Sequence, residues 1–189
     1  FLFWSITALC LKIIKKKVDE LNIGDIIIIM GSGIVGALAY TFSDSFWFSA
    51  VEGEVYASSS FYTALVVWAM LKWDSACERD KYADRWIVFI SFIIGLSIGV
   101  HLLNLLTIPA ISLIYYFKKY NPTKKGIIST IIFSFFLLGV IQAVIIPQIP
   151  NMAAKFEIFF VNSIGLPFNS GTIIFFALLT GAILWGIYK

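Results

Sequence analysis

Charged side chains are scarce in this sequence: 13% of its 189 residues are Asp, Glu, Lys or Arg, about half the share in a soluble domain. Histidine occurs once and cysteine twice, too few for a disulfide framework or a His/Cys transition-metal cluster. The formal net charge is only +3, which excludes a nucleic-acid binder relying on a broad basic surface. Internal repeats, low-complexity stretches and inter-domain linkers are absent. What is present is apolar: 60% of residues are hydrophobic and 17% aromatic, with a mean hydropathy of +0.92. A soluble domain of ~150 residues buries only about 70% of its chain surface, so one core could not hide this much apolar area. The composition implies an integral membrane protein.

A helix needs ~20 mostly apolar residues to cross a ~30 Å hydrocarbon core. Ile23–Phe42, Ala57–Trp73, Gly126–Ile146 and Thr172–Tyr188 meet this requirement. Phe1–Ile14 is apolar but short and reads as the tail of a truncated span; it lacks the basic flank and cleavage site of a signal peptide. Trp86–Phe117 carries polar His101, Asn104 and Thr107, then Pro109, in its middle. It is expected to be two helices of about 15 residues, each rising ~22 Å, that turn near His101. Irregular backbone cannot face lipid, so this turn should sit in a protein-lined or wet recess. The expected fold is an all-α polytopic transmembrane bundle, one domain over residues 1–189, with about six full or half spans plus the truncated one.

Basic residues orient it. Lys12, Lys15, Lys16 and Lys17 form one cluster, Lys72, Arg79, Lys81 and Arg85 a second, and Lys118, Lys119, Lys124 and Lys125 a third. With Lys189 these are all the basic residues except Lys155. The positive-inside rule places them in the cytoplasm, beside Cys10 and Cys77, where a disulfide is not expected. Loops Ser43–Tyr56 and Pro147–Gly171 are then extracytoplasmic.

Gly31-Ser-Gly33-Ile-Val-Gly36, after an apolar run and before Glu52, has the form of a dinucleotide fingerprint. The glycines lie mid-span, so close approach of helix backbones is the better reading; Gly95 and Gly99 are read the same way. The first outer loop is the more informative segment. Phe46, Trp47 and Phe48 suit a membrane interface, and Asp44, Glu52, Glu54 and Tyr56 accompany them. Glu52 and Glu54 flank a glycine just before a helix. They either complement its dipole or bind a hydroxyl, a cation or a phosphate-bound metal at the membrane surface. His101 and Asn104 are polar groups at membrane depth, which marks a candidate site: His101 as a donor to a phosphate, or as a buried ring bonded to a carbonyl. Lys155 is a phosphate contact, a solvated charge or an ion-pair partner of Glu157.

The stretches SDSFWFSAVEGEVYASSSFYTALVVWAMLKW, ADRWIVFISFIIGLSIGVHLLNLLTIPAI and IPNMAAKFEIFFVNSIGLPFNSG resemble a bacterial family of multi-spanning membrane proteins labelled as a domain of unknown function. That family is similar to protein O-mannosyltransferases and stands with the GT-C superfamily of membrane glycosyltransferases. AVEGEVY and GVHLLNLL are the most specific strings. The resemblance implies an enzyme of the bacterial cytoplasmic membrane that moves a sugar from a polyprenyl-phosphate donor to an acceptor hydroxyl, for instance a protein Ser or Thr, on the outer face. It maps a second acidic position onto Glu52 or Glu54 and the donor-phosphate region onto His101. It also implies a principal acidic residue upstream of Phe1, so this stretch alone is expected to be inactive. The partners implied are the lipid-linked donor, an acceptor protein or glycan, and membrane lipid, with no nucleic acid. The resemblance fixes no cofactor and leaves a divalent cation open. A transporter with a midplane site at the broken hairpin, or a non-catalytic scaffold, are the competing readings.

Overall fold

The computed structural model describes residues 1–53 and 55–188. The chain falls into two compact units, Phe1–Ile132 and Phe133–Lys189, and each is described by itself. Every element is helical; no strand occurs among the described residues.

In the first unit α1 (Leu2–Ile14) turns through Lys15, in the left-handed region at φ 56°, into α2 (Ile23–Thr41). Asn22 and Asp25 start α2 with a reciprocal pair of side-chain to backbone bonds, which satisfies two of the free N–H groups at its end. Gly33 and Gly36 of α2 do what small residues do in membrane helices. A methyl at Gly33 would lie 2.7 Å from Thr7 and 2.8 Å from Phe3, and one at Gly36 would lie 2.6 Å from Ile6, so α1 and α2 touch closely there. Gly31 and Gly95 depart from that reading: nothing stands within 4 Å of either absent side chain.

A short helix, α3 (Asp44–Val51), occupies most of the expected loop Ser43–Tyr56, capped by the Ser43 hydroxyl. Then α4 (Tyr56–Ala76) runs through the middle of the unit, packed against α1, α3, α5 (Arg85–Ile98) and α6 (Thr107–Lys119). Its Val66, Ala69 and Trp73 are 0% exposed and form the core with Ile90, Ile93, Leu105 and Ile108. Trp73 stacks on Tyr115 with ring centroids 5.3 Å apart.

Between α5 and α6 the chain breaks as expected. After Ile98 it turns at His101 and forms a single 3-10 stretch, Leu102–Leu106, before α6 begins. Then α7 (Lys124–Val140) leaves the unit.

The expected loop Pro147–Gly171 is not a loop over most of its length. Helix continues from Lys124 to Ser163 over 40 residues: α7, a π turn at Ile141–Ile145, α8 (Ile146–Ile158), and a second π turn at Phe159–Ser163. Pro147 stands at the start of α8, immediately after the π turn, and Pro150 lies inside it. Local π adjustments absorb prolines in membrane helices by re-satisfying freed backbone groups. At ~1.5 Å per residue this stretch is about 60 Å long, twice what one upright crossing needs. In the second unit α9 (Ser170–Tyr188) returns against α8. A methyl at Gly171 would fall 2.4 Å from the Phe156 carbonyl.

Among the described residues three helices are long and apolar enough to cross a membrane: Ile23–Thr41, Lys124–Ser163 and Ser170–Tyr188. They carry rows of uncovered apolar side chains, such as Ile26, Ile27 and Ile28 on α2 and Phe133, Phe135 and Phe136 on α7. Apolar area on that scale calls for lipid or a partner. The helix α4 is 21 residues long but is not among the three; Ser58, Ser59, Ser60, Lys72 and Asp74 dilute it.

Candidate functional site

The first unit has two chemically distinct ends. At one end the basic clusters meet. Lys12 of α1 pairs with Asp74 of α4, and Lys118 of α6 reaches Asp74 at 3.0 Å and Glu78 at 2.7 Å. Lys119 lies 3.4 Å from Asp84, Arg85 2.8 Å from Asp80, and Lys16 2.7 Å from Asp25. The hydrogen bond from Lys118 holds Glu78 below its ordinary carboxylate range. The Trp73 indole N–H, 3.2 Å away, does the same for Asp84, with help from Lys119. Burial pushes the Cys77 thiol upward, and Cys10 and Cys77 are both free thiols.

At the other end stand the residues singled out from sequence. Tyr56 opens α4, and its ring lies 5.4 Å from that of His101, tilted by 55°. His101 Nδ1 accepts a hydrogen bond from the Leu103 N–H at 3.1 Å, capping the start of the 3-10 turn. In the neutral ring Nε2 then carries the proton. The two rings bring an imidazole and a phenol together, groups whose N–H and O–H can donate to a phosphate or a hydroxyl oxygen.

Asn104 is 0% exposed and faces inward. Its amide nitrogen donates to the Ser97 hydroxyl at 3.0 Å, and its amide oxygen accepts from the Thr63 hydroxyl at 3.3 Å. The Ser97 hydroxyl in turn donates to the Ile94 carbonyl at 2.7 Å, and the Asn104 carbonyl accepts from Thr107 at 2.6 Å. Asn104 therefore ties α4, α5 and the turn together, which fixes where His101 stands. Its amide is engaged by the protein itself.

Asp44 is exposed in the first turn of α3, and Glu52 is exposed at the end of that helix. Neither has an ion-pair partner among the described residues. Glu54 lies outside the described residues. Gly53, at φ +71°, bends the chain between α3 and α4 in a conformation that favours glycine. Lys155 belongs to the second unit, exposed on α8 rather than in a loop. Glu157 is engaged elsewhere: it accepts from the backbone N–H groups of Asn169 and Thr172 and from the Thr172 hydroxyl, tying the turn before α9 to α8. No group of three His, Cys, Asp or Glu side chains converges as a metal site among the described residues.

Two partners escaped the reading of the sequence, Thr63 and Ser97. A signal existed for the first. Tyr56, Ser59 and Thr63 fall three and then four residues apart, a polar stripe on one face of an otherwise apolar helix. The Ser59 hydroxyl is buried at 1% exposure, with no hydrogen-bond partner among the described residues. Ser97 gave no such signal, because nothing in the apolar run around it marks which face meets α4.

No curated protein and no solved structure matches the chain. Residues 1–124, which hold both ends of the first unit and the Tyr56–His101 pair, match the family described as the protein O-mannosyl-transferase TMEM260 N-terminal domain, and the chain belongs to that family.

Proposed function

We propose that this chain is part of a membrane glycosyltransferase that moves a sugar from a polyprenyl-phosphate donor to an acceptor hydroxyl, such as that of a protein Ser or Thr, on the extracytoplasmic face. The family match over residues 1–124 carries this reading. The donor pair at Tyr56 and His101, at the end opposite the clustered lysines, supports it. A lipid-linked donor keeps its leaving group in the membrane, so the acceptor meets it at the surface of the bilayer. A carboxylate of the first outer loop, Glu52 or Glu54, takes the proton from the acceptor hydroxyl. The acceptor oxygen bonds to the anomeric carbon as the bond from that carbon to the phosphate oxygen breaks, and the phosphate departs on its lipid. General-base help of this kind is worth ~10²–10⁴-fold. His101 Nε2–H and the Tyr56 hydroxyl stabilise the charge that develops on the departing phosphate. Asp44 lines the same loop and binds the acceptor side. Lys155, exposed on α8 of the second unit, is a candidate phosphate contact of that unit by itself. Asn104 acts through His101 as a positioning residue.

The transporter reading asks for a substrate site at the broken hairpin. The inward group there is Asn104, whose amide already bonds Ser97 and Thr63, and this weighs against it. The test is transfer from a polyprenyl-phosphate sugar in membranes carrying the full protein. Glu52→Gln, Glu54→Gln and His101→Ala, expressed at the parental level, are expected to lose transfer in at least one of the glutamate variants and in the histidine variant. Unchanged transfer in all three overturns the site. No transfer by the unmodified protein with any lipid-linked sugar overturns the activity.

A further inference from the structure

A cavity of about 520 Å³ opens between α1, α2 and α4 in the first unit, away from the Tyr56–His101 pair. Its walls are apolar and aromatic, with Ala8, Ile29 and Trp68 among them and Trp4 at the exposed rim, and Lys72 and Ser75 line it at the end where the basic clusters meet. From Ser75 to Trp68 is two turns of α4, so the cavity reaches about 10 Å below the charged end. The Lys72 ammonium stands 5.6 Å from the centre of the Trp68 ring, at the join of the polar and apolar parts. Lys12, Lys16, Lys118, Lys119 and Arg85 each face a carboxylate. Lys72 faces none among the described residues, and Lys17 is the residue before Val18, which also lines the cavity. An apolar slot with an unneutralised cation at its mouth has the charge pattern of a site for an amphiphilic anion. Basic pockets between membrane helices on the cytoplasmic side hold anionic headgroups in this way.

We propose that this cavity binds an anionic glycerophospholipid of the cytoplasmic leaflet. One acyl chain lies along Trp4 and Trp68, and the phosphate is held by Lys72; the Ser75 hydroxyl donates to the Leu71 carbonyl and only lines the mouth. The site is independent of sugar transfer and stands or falls without it. The experiment uses the full protein reconstituted in bilayers, with tryptophan quenching by lipids brominated on the acyl chain, phosphatidylglycerol against phosphatidylcholine. Brominated phosphatidylglycerol is expected to be preferred about fivefold, the contribution of one lysine near an anionic headgroup. Lys72→Gln, an exposed position, is expected to abolish that preference. Trp4→Phe with Trp68→Phe should remove most of the lipid-specific quenching, which places the chain in this cavity and not on the outer surface. Equal quenching by the two lipids in the parent protein overturns the proposal. So does a preference that survives Lys72→Gln, or one that survives the double tryptophan replacement.

Discussion

Replacing Asn104 with alanine tests how the broken hairpin is held. The side chain is 0% exposed and bonds Ser97 at 3.0 Å and Thr63 at 3.3 Å. The Thr63 hydroxyl also lies 3.0 Å from the Ser59 carbonyl, and its one proton is shared between the two acceptors. Deleting the amide therefore removes one full hydrogen bond and part of a second, and leaves a small void. Hydrogen bonds between membrane helices average about 0.6 kcal/mol and reach about 1.7, and a lone buried acceptor costs ~1–3 kcal/mol. The lower figures apply, because Ser97 keeps its bond to Ile94 and Thr63 its bond to Ser59. The expected loss is ~1–2 kcal/mol. The assay is reversible unfolding of the full protein in mixed micelles, read by tryptophan fluorescence. Ser97→Ala and the double variant complete a cycle whose coupling should be about 0.5–1.5 kcal/mol. A loss under ~0.3 kcal/mol for Asn104→Ala, or coupling within error of zero, would refute the claim that this amide fixes the turn.

Gly171→Ala should destabilise the second unit by ~1–3 kcal/mol through overpacking, since the added methyl meets the Phe156 carbonyl and the Glu157 backbone within 2.6 Å. Gly181→Ala in the same helix meets nothing and should be neutral or slightly stabilising on the same unfolding assay. Glu157→Ala should speed backbone hydrogen exchange at Asn169 and Thr172, the two N–H groups it accepts from; unchanged exchange would count against that anchor. The lysine-rich end predicts an acid response. Glu78 and Asp84 are held below their ordinary range in the folded chain. Their contribution is thus complete above the unfolded carboxylate range, about pH 4, and is lost as pH falls through the folded values. Thermal unfolding should be level from neutral pH down to about 5 and fall below about 4. Glu78→Gln with Asp84→Asn should flatten that fall.

Much of the first unit was legible because membrane burial leaves a one-dimensional trace. Apolar runs fix where the helices lie, and His101 and Asn104 in the middle of such a run had to mark a break, since polar groups at membrane depth need partners. The glycines of α2 signalled contact for the same reason, and Gly33 and Gly36 do sit against α1. Gly95 shows the limit of that signal. A small residue tells that an approach is allowed, not that a neighbour is there to make it. The stretch from Pro147, expected as a loop between two apolar spans, is mostly helix. A π turn placed just before Pro147 lets the helix pass, and no residue type announces a π turn. The candidate site was half legible. His101 stood out as the sole histidine, and Tyr56 stood in the informative loop, but their 5.4 Å approach depends on packing between α4 and the turn. Thr63 and Ser97 are partners of Asn104 by that packing alone.

The account rests on sidedness: lysines and arginines on the cytoplasmic face, with Tyr56, His101 and the first outer loop across the membrane from them. Single cysteines at Ser45, Asn162 and Lys124, in full protein with Cys10 and Cys77 replaced, report this directly through an impermeant thiol reagent applied to sealed, right-side-out vesicles. The account predicts labelling at Ser45 and Asn162 from outside, and at Lys124 only after the membrane is opened. Labelling of Lys124 from outside with Ser45 protected would contradict it.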